Sequence, residues 1–74
     1  MRILLFGMIA EKAGTDELEM MAPGTFALRQ MLAQRINGLD RMSYALAVDR
    51  VIVHEDVVLN GTEEIAVLPP FAGG

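Results

Sequence analysis

The chain has 74 residues, 53% of them apolar, and a net charge of −4, which allows one small domain and no second. It has no cysteine, so disulfides, CxxC motifs and Cys/His zinc sites are excluded and the core must hold the fold unaided. The acidic balance argues against nucleic acid, which needs clustered Lys and Arg. The apolar run near the start, through Ile9, is too short to cross a bilayer. No small-residue cleavage site follows it, so the sequence predicts a soluble, cytoplasmic protein with no membrane partner.

Residues 2–9 read as a strand that is apolar on both faces, with Ile3, Leu5, Gly7 and Ile9 on one and Leu4, Phe6 and Met8 on the other. One helical turn over Ala10 to Ala13 ends at Gly14. Glu17 to Met21 reads as a weak second strand. Pro23-Gly24 breaks the chain. Thr25 is placed to cap a helix over about 25–36, whose stripe is Leu28, Met31, Leu32 and Ile36. Asn37-Gly38 stops that helix. Leu39 to Tyr44 is a connection. Ala45 to Val53 is β-rich, with a tight turn at Asp49-Arg50. His54-Glu55-Asp56 is a loop, Asn60-Gly61 a turn, and Glu64 to Leu68 the last strand. Strands outnumber helices without regular alternation, so the class is α+β with a mixed sheet.

Side chains offer little chemistry. His54, the single histidine, sits beside Glu55 and Asp56, but sequence neighbours rarely converge on one metal ion, and a solvated loop explains them. Asp40, Arg41, Asp49 and Arg50 are candidates for surface ion pairs of small worth. Ser43 lacks a histidine base, and Pro23-Gly24-Thr25 is a helix start, not a phosphate loop. What remains is the end: Pro69-Pro70-Phe71-Ala72-Gly73-Gly74. The prolines stop the strand and stiffen its exit, and the glycines pass through a slot too narrow for a side chain. The reactive group is then the carboxylate of Gly74. Joined to AMP it becomes an acyl donor, open to attack by sulfur to give a thiocarboxylate or by an amine to give an amide. Any nucleotide site and sulfur source must come from partners.

Five stretches carry a resemblance over essentially the whole chain. They are Ile3-Leu4-Leu5-Phe6, Ala13-Gly14-Thr15-Asp16, Ala27-Leu28-Arg29, Ala47-Val48, and Glu64 through the Pro-Pro and Gly-Gly of the tail. The chain resembles the small, sulfur-carrying subunits of molybdopterin synthase, within the ubiquitin-like β-grasp group. The resemblance implies a β-grasp domain over 1–68, with a mixed sheet wrapped on one central helix, and a flexible sulfur-carrying tail over 69–74. It implies adenylation of Gly74, conversion to a thiocarboxylate, and transfer of sulfur to a pterin precursor in molybdenum cofactor biosynthesis. It also implies three partners: the large synthase subunit, with which such subunits form a heterotetramer, an E1-like adenylating enzyme, and a sulfur donor protein. No cofactor is bound; ATP is used by the activating enzyme. The resemblance also implies that the chain is a sulfur donor, with the catalytic side chains expected on the large subunit. A thiazole-pathway carrier, a ubiquitin-like modifier joined through Gly74, and a plain interaction domain are the other readings.

Further expectations follow for particular residues. Ile3, Leu5, Leu28, Leu32, Val48 and Ile65 are expected to be buried together. Pro69, Pro70, Phe71, Ala72 and Gly73 are expected to thread the tail, extended and mobile, into a partner. Phe6, Met8, Leu68 and Phe71 are expected to form the partner surface, because a chain this small has more apolar side chains than one core uses.

Overall fold

The computed structural model describes residues 1–70. Its elements are β1 (Arg2–Leu5), α1 (Gly7–Ala13), β2 (Glu17–Glu19), α2 (Thr25–Arg35), a 3-10 turn (Leu39–Arg41), β3 (Ala45–Val48), β4 (Val51–Val53) and β5 (Glu64–Leu68). All five strands join one sheet in the order β2-β1-β5-β3-β4. β1 and β5 pair parallel; every other neighbouring pair is antiparallel. Strand residues alternate between faces. Ile3, Leu5, Leu46, Ile65 and Val67 therefore turn to one side, where they meet Leu28, Leu32 and Ile36 of the helical stripe in one buried cluster. This is the expected α+β, β-grasp architecture, with α2 as the central helix. Val48, expected in the cluster, is half-buried and packs against it, because it ends β3 beside the turn. Among the described residues no helix is long and apolar enough to cross a membrane.

The first strand is shorter than its pattern. It stops at Leu5, and residues 7–13 form a second helix in place of the expected single turn. Gly7 has φ +57, a left-handed conformation that breaks strand geometry and starts the helix. The same spacing that put Ile9 on a strand face puts it on the inner face of α1, fully buried, with Ala10 and Ala13 against the core. Gly14, at φ +74, closes α1 by donating its N–H to the carbonyls of Ala10 and Glu11. The second strand is also shorter than read, at Glu17–Glu19.

The start of α2 differs from the expected cap. Gly24 is the N-cap, and Thr25 is the first helical residue and fully buried. Its hydroxyl donates to the Glu55 carbonyl and accepts from the Val57 N–H, both at 2.9 Å. The carboxylate of Asp56 supplies the cap instead, accepting from the Phe26 N–H at 3.1 Å. A side chain at position 24 would collide with it, since a Cβ there would lie 2.7 Å from Asp56 Oδ1. The 54–57 loop is thereby bound to the start of the central helix.

The two expected turns are present. Asp49 and Arg50 have φ of 49 and 70, the signature of a type I′ hairpin turn between β3 and β4. Asp49 Oδ1 accepts from the Glu64 N–H at 2.9 Å. Arg50 pairs with Glu64 at 3.9 Å, and a second exposed pair joins Arg2 to Glu17 at 3.3 Å. At the other turn Gly61 has φ +99, and the Glu63 carboxylate accepts from the N–H groups of Asn60 and Gly61. These bonds, that to Asn60 foremost, hold the Glu63 carboxyl below its ordinary value.

Candidate functional site

The outer face of the sheet, away from α2, is apolar as well. Leu4 lies opposite Ala66, Ala66 opposite Ala47, and Ala47 opposite Ile52. These four form a row across four strands. Ala47 is buried but lies outside the core cluster, as a small residue between strands on the second face must. Leu68 continues the face one step along β5, opposite Ala45. Two alanines between Leu4 and Ile52 make a shallow trough, not a ridge. Charge borders it at Arg2, Glu17 and Glu64, all exposed.

The trough leads to the base of the tail. β5 ends at Leu68, and Pro69 follows, half-buried, with Pro70 exposed. Proline lacks an N–H, so the ladder cannot continue. Pro69 seats on Gly7: a Cβ on Gly7 would come 3.2 Å from Pro69 Cγ. The bare backbone of Gly7 thus serves two ends at once, turning β1 into α1 and receiving the residue that begins the tail. Phe6 and Met8 flank this seat, 43% and 54% exposed. A groove of about 460 Å³ runs beside it, lined in part by Leu4, Phe6, Gly7, Asp16 and Glu17.

Of the expected partner residues, Phe6, Met8 and Leu68 flank or border the tail root. Phe6 is the residue before α1 and Met8 belongs to α1, so neither sits on the first strand as expected. Phe71, Ala72, Gly73 and Gly74 lie outside the described residues, and so does every expectation that falls on them. Sequence reasoning put Leu4 on the outer face without naming it as a partner residue, and missed Ala47, Ala66 and Ile52. The signal was present in part: once Ile65 and Val67 face inward, Ala66 and Leu68 must face outward. Their meeting in one row depends on strand register, which no local pattern displays. His54, Glu55 and Asp56 are exposed, and Asp56 is engaged in the helix cap. Among the described residues no group of three or more His, Asp or Glu could hold a metal ion. The site offers shape and apolar contact around a chain exit.

Comparison with known proteins agrees with this fold. The fold is similar to the solution structure of the small archaeal modifier protein 1 from Methanosarcina acetivorans. The TM-score is 0.79 at 19% identity, covering 99% of this chain and 94% of that one. The sequence is 35% identical, over 82 aligned residues, to the molybdopterin synthase sulfur carrier subunit of Escherichia coli K12, covering 99% of this chain and 98% of that protein. The model of the ThiS family matches residues 3–74, and the chain belongs to that family.

Proposed function

We propose that this chain is the sulfur-carrying subunit of a molybdopterin synthase, with the carboxylate of Gly74 as its working group. The observation that carries this reading is the 35% identity with a sulfur carrier subunit along nearly the full length of both chains. The carboxylate oxygen attacks the α-phosphorus of ATP on an activating enzyme, and pyrophosphate leaves. Hydrosulfide delivered by a donor protein then attacks the acyl carbon, AMP leaves with the old C–O bond, and loss of the sulfur-bound proton gives the thiocarboxylate. In the large subunit that sulfur passes to the pterin precursor. The chain's own part is to dock through the trough and tail root, and to present a slim tail of fixed reach. Pro69, set on Gly7, fixes where the reach begins.

Reach is what the test measures. Deleting Gly74 withdraws the carboxylate by about 3.3–3.6 Å of extended chain. A misplacement of even about 1 Å can cost roughly 100-fold in rate. In a reconstituted assay with activating enzyme, ATP, sulfur donor, large subunit and pterin precursor, the shortened chain should support no measurable dithiolene formation, and a chain extended by one alanine should fail similarly. Normal turnover by the shortened chain overturns the reading. Intact mass measurement of protein from its own cell adds a second arm, where replacement of one oxygen by sulfur at the C-terminus is the expected result. A ladder of lysine conjugates would point to a modifier instead.

A further inference from the structure

The short helix α1 has a second, outward face. Ile9, Ala10 and Ala13 turn to the core, while Met8, Glu11 and Lys12 are exposed at i, i+3 and i+4. At the far end of that face Lys12 meets another cation. A Cβ on Gly38 would lie 3.6 Å from Lys12 Nζ and 3.7 Å from Arg41 Nη2. The ammonium and the guanidinium therefore bracket one patch of bare backbone. Gly38 keeps it bare, and its φ of +88 disfavours any side chain there.

Among the described residues, the ion pairs within 4.0 Å involve Met1, Arg2 and Arg50, and neither Lys12 nor Arg41 takes part in one. Glu11 and Asp40, their acidic sequence neighbours, do not pair with them. Two cations held at one spot repel each other, and an oxygen anion seated between them reverses the sign.

We propose that Lys12 and Arg41 form a clasp for a carboxylate on the large synthase subunit. The proposal rests on the carrier reading and adds a second contact to it. A protein carboxylate is favoured because the pair continues the surface at the tail root. Pro69 rests on Gly7, the first residue of α1, and Met8 follows it, exposed. Lys12 lies one helical turn beyond Met8, about 6 Å along the axis. An apolar centre with a charged rim is the usual anatomy of a protein interface. The matching partner surface has an apolar pocket for Phe6 and Met8 and an Asp or Glu one helical turn away.

The experiment measures binding of the full chain to the large subunit by calorimetry, at low and high salt. The Lys12→Glu, Arg41→Glu double variant should bind about tenfold or more weakly at low salt, as for charge reversal across an interface. The gap should narrow as salt screens the exposed charges. Its melting temperature should stay close to wild type, since both side chains are exposed and, among the described residues, neither makes an ion pair. Sulfur transfer at saturating large subunit should be unchanged, because neither side chain belongs to residues 69–74. An unchanged Kd at low salt overturns the clasp and leaves the carrier reading standing. Failure of the wild-type chain to bind the large subunit overturns both.

Discussion

The two faces of the sheet are built from the same strands, and both are apolar, yet they do different work. On the inner face Leu5, Val67 and Leu46 lie side by side, and α2 covers them. On the outer face, one residue along, stand Leu4, Ala66, Ala47 and Ile52. The inner row is large and branched, and it interlocks with Leu28 and Leu32. The outer row is small in the middle, and among the described residues no helix belongs to that face. Overall hydrophobicity does not separate the two; side-chain size and the position of α2 do. A short chain can therefore be rich in apolar residues without a large core, with part of them on a face that α2 does not cover.

The largest break in this comparison comes from the inner face. Leu32→Ala should destabilise by about 2–5 kcal/mol in denaturant unfolding, because it leaves a cavity under the sheet. Affinity for the large subunit per folded molecule should be unchanged. On the outer side the pattern should invert: Phe6→Ala should weaken binding by about 2 kcal/mol in calorimetry, as for an aromatic interface anchor, with the melting temperature nearly unmoved. A large stability loss with normal binding would assign Phe6 to the core.

Gly7 joins the two regimes, and its substitution should show in both. Gly7→Val forces a branched side chain into a left-handed conformation, at about 1–2 kcal/mol of stability, and pushes Pro69 from its seat. Sulfur transfer should fall even at saturating partner, since the tail then starts from the wrong place. A smaller effect is expected at the helix cap: Asp56→Ala should cost about 1 kcal/mol by leaving the Phe26 N–H without its acceptor.

The smallest effect is the pH dependence of the 60–63 turn. The Glu63 carboxyl is held below its ordinary value of 4.5 by the bonds from Asn60 and Gly61. A lowered folded-state value means its stabilisation is full above the unfolded value and is lost as pH falls through the folded one. The melting-temperature gap between wild type and Glu63→Gln should therefore be widest near neutrality and close below pH 4.5.

Much of the fold was legible because it is written locally. The stripe Leu28, Leu32 and Ile36, the Asp49-Arg50 turn and the last strand each depend on neighbouring residues. What was misread depends on distance. Residues 3, 5, 7 and 9 fit a strand, and only the left-handed Gly7 divides them between strand and helix. Thr25 carries the chemistry of a cap, but the cap is Asp56, thirty-odd positions away along the chain. Leu39 reads as part of a connection, yet it opens the 3-10 turn and is fully buried in the core cluster. The trough needed strand register, and the seat of Pro69 needed residue 7 beside residue 69.

The placement of β5 bears on how the molecule forms. It lies in the middle of the sheet, yet it is the last strand along the chain. Until it is in place, β1 with β2 and β3 with β4 are separate pieces, each with an unfinished edge. Synthesis proceeds from the N-terminus, so the nascent chain waits with two open edges for the strand that fills the gap between them. Pairing of β1 with β5 spans most of the chain, a contact that forms slowly because long loops close at an entropic cost. A released chain truncated before residue 64 could not close its sheet and would leave the edges of both pieces open to pairing with others. The last-made of the described strands is thus the one that completes the sheet.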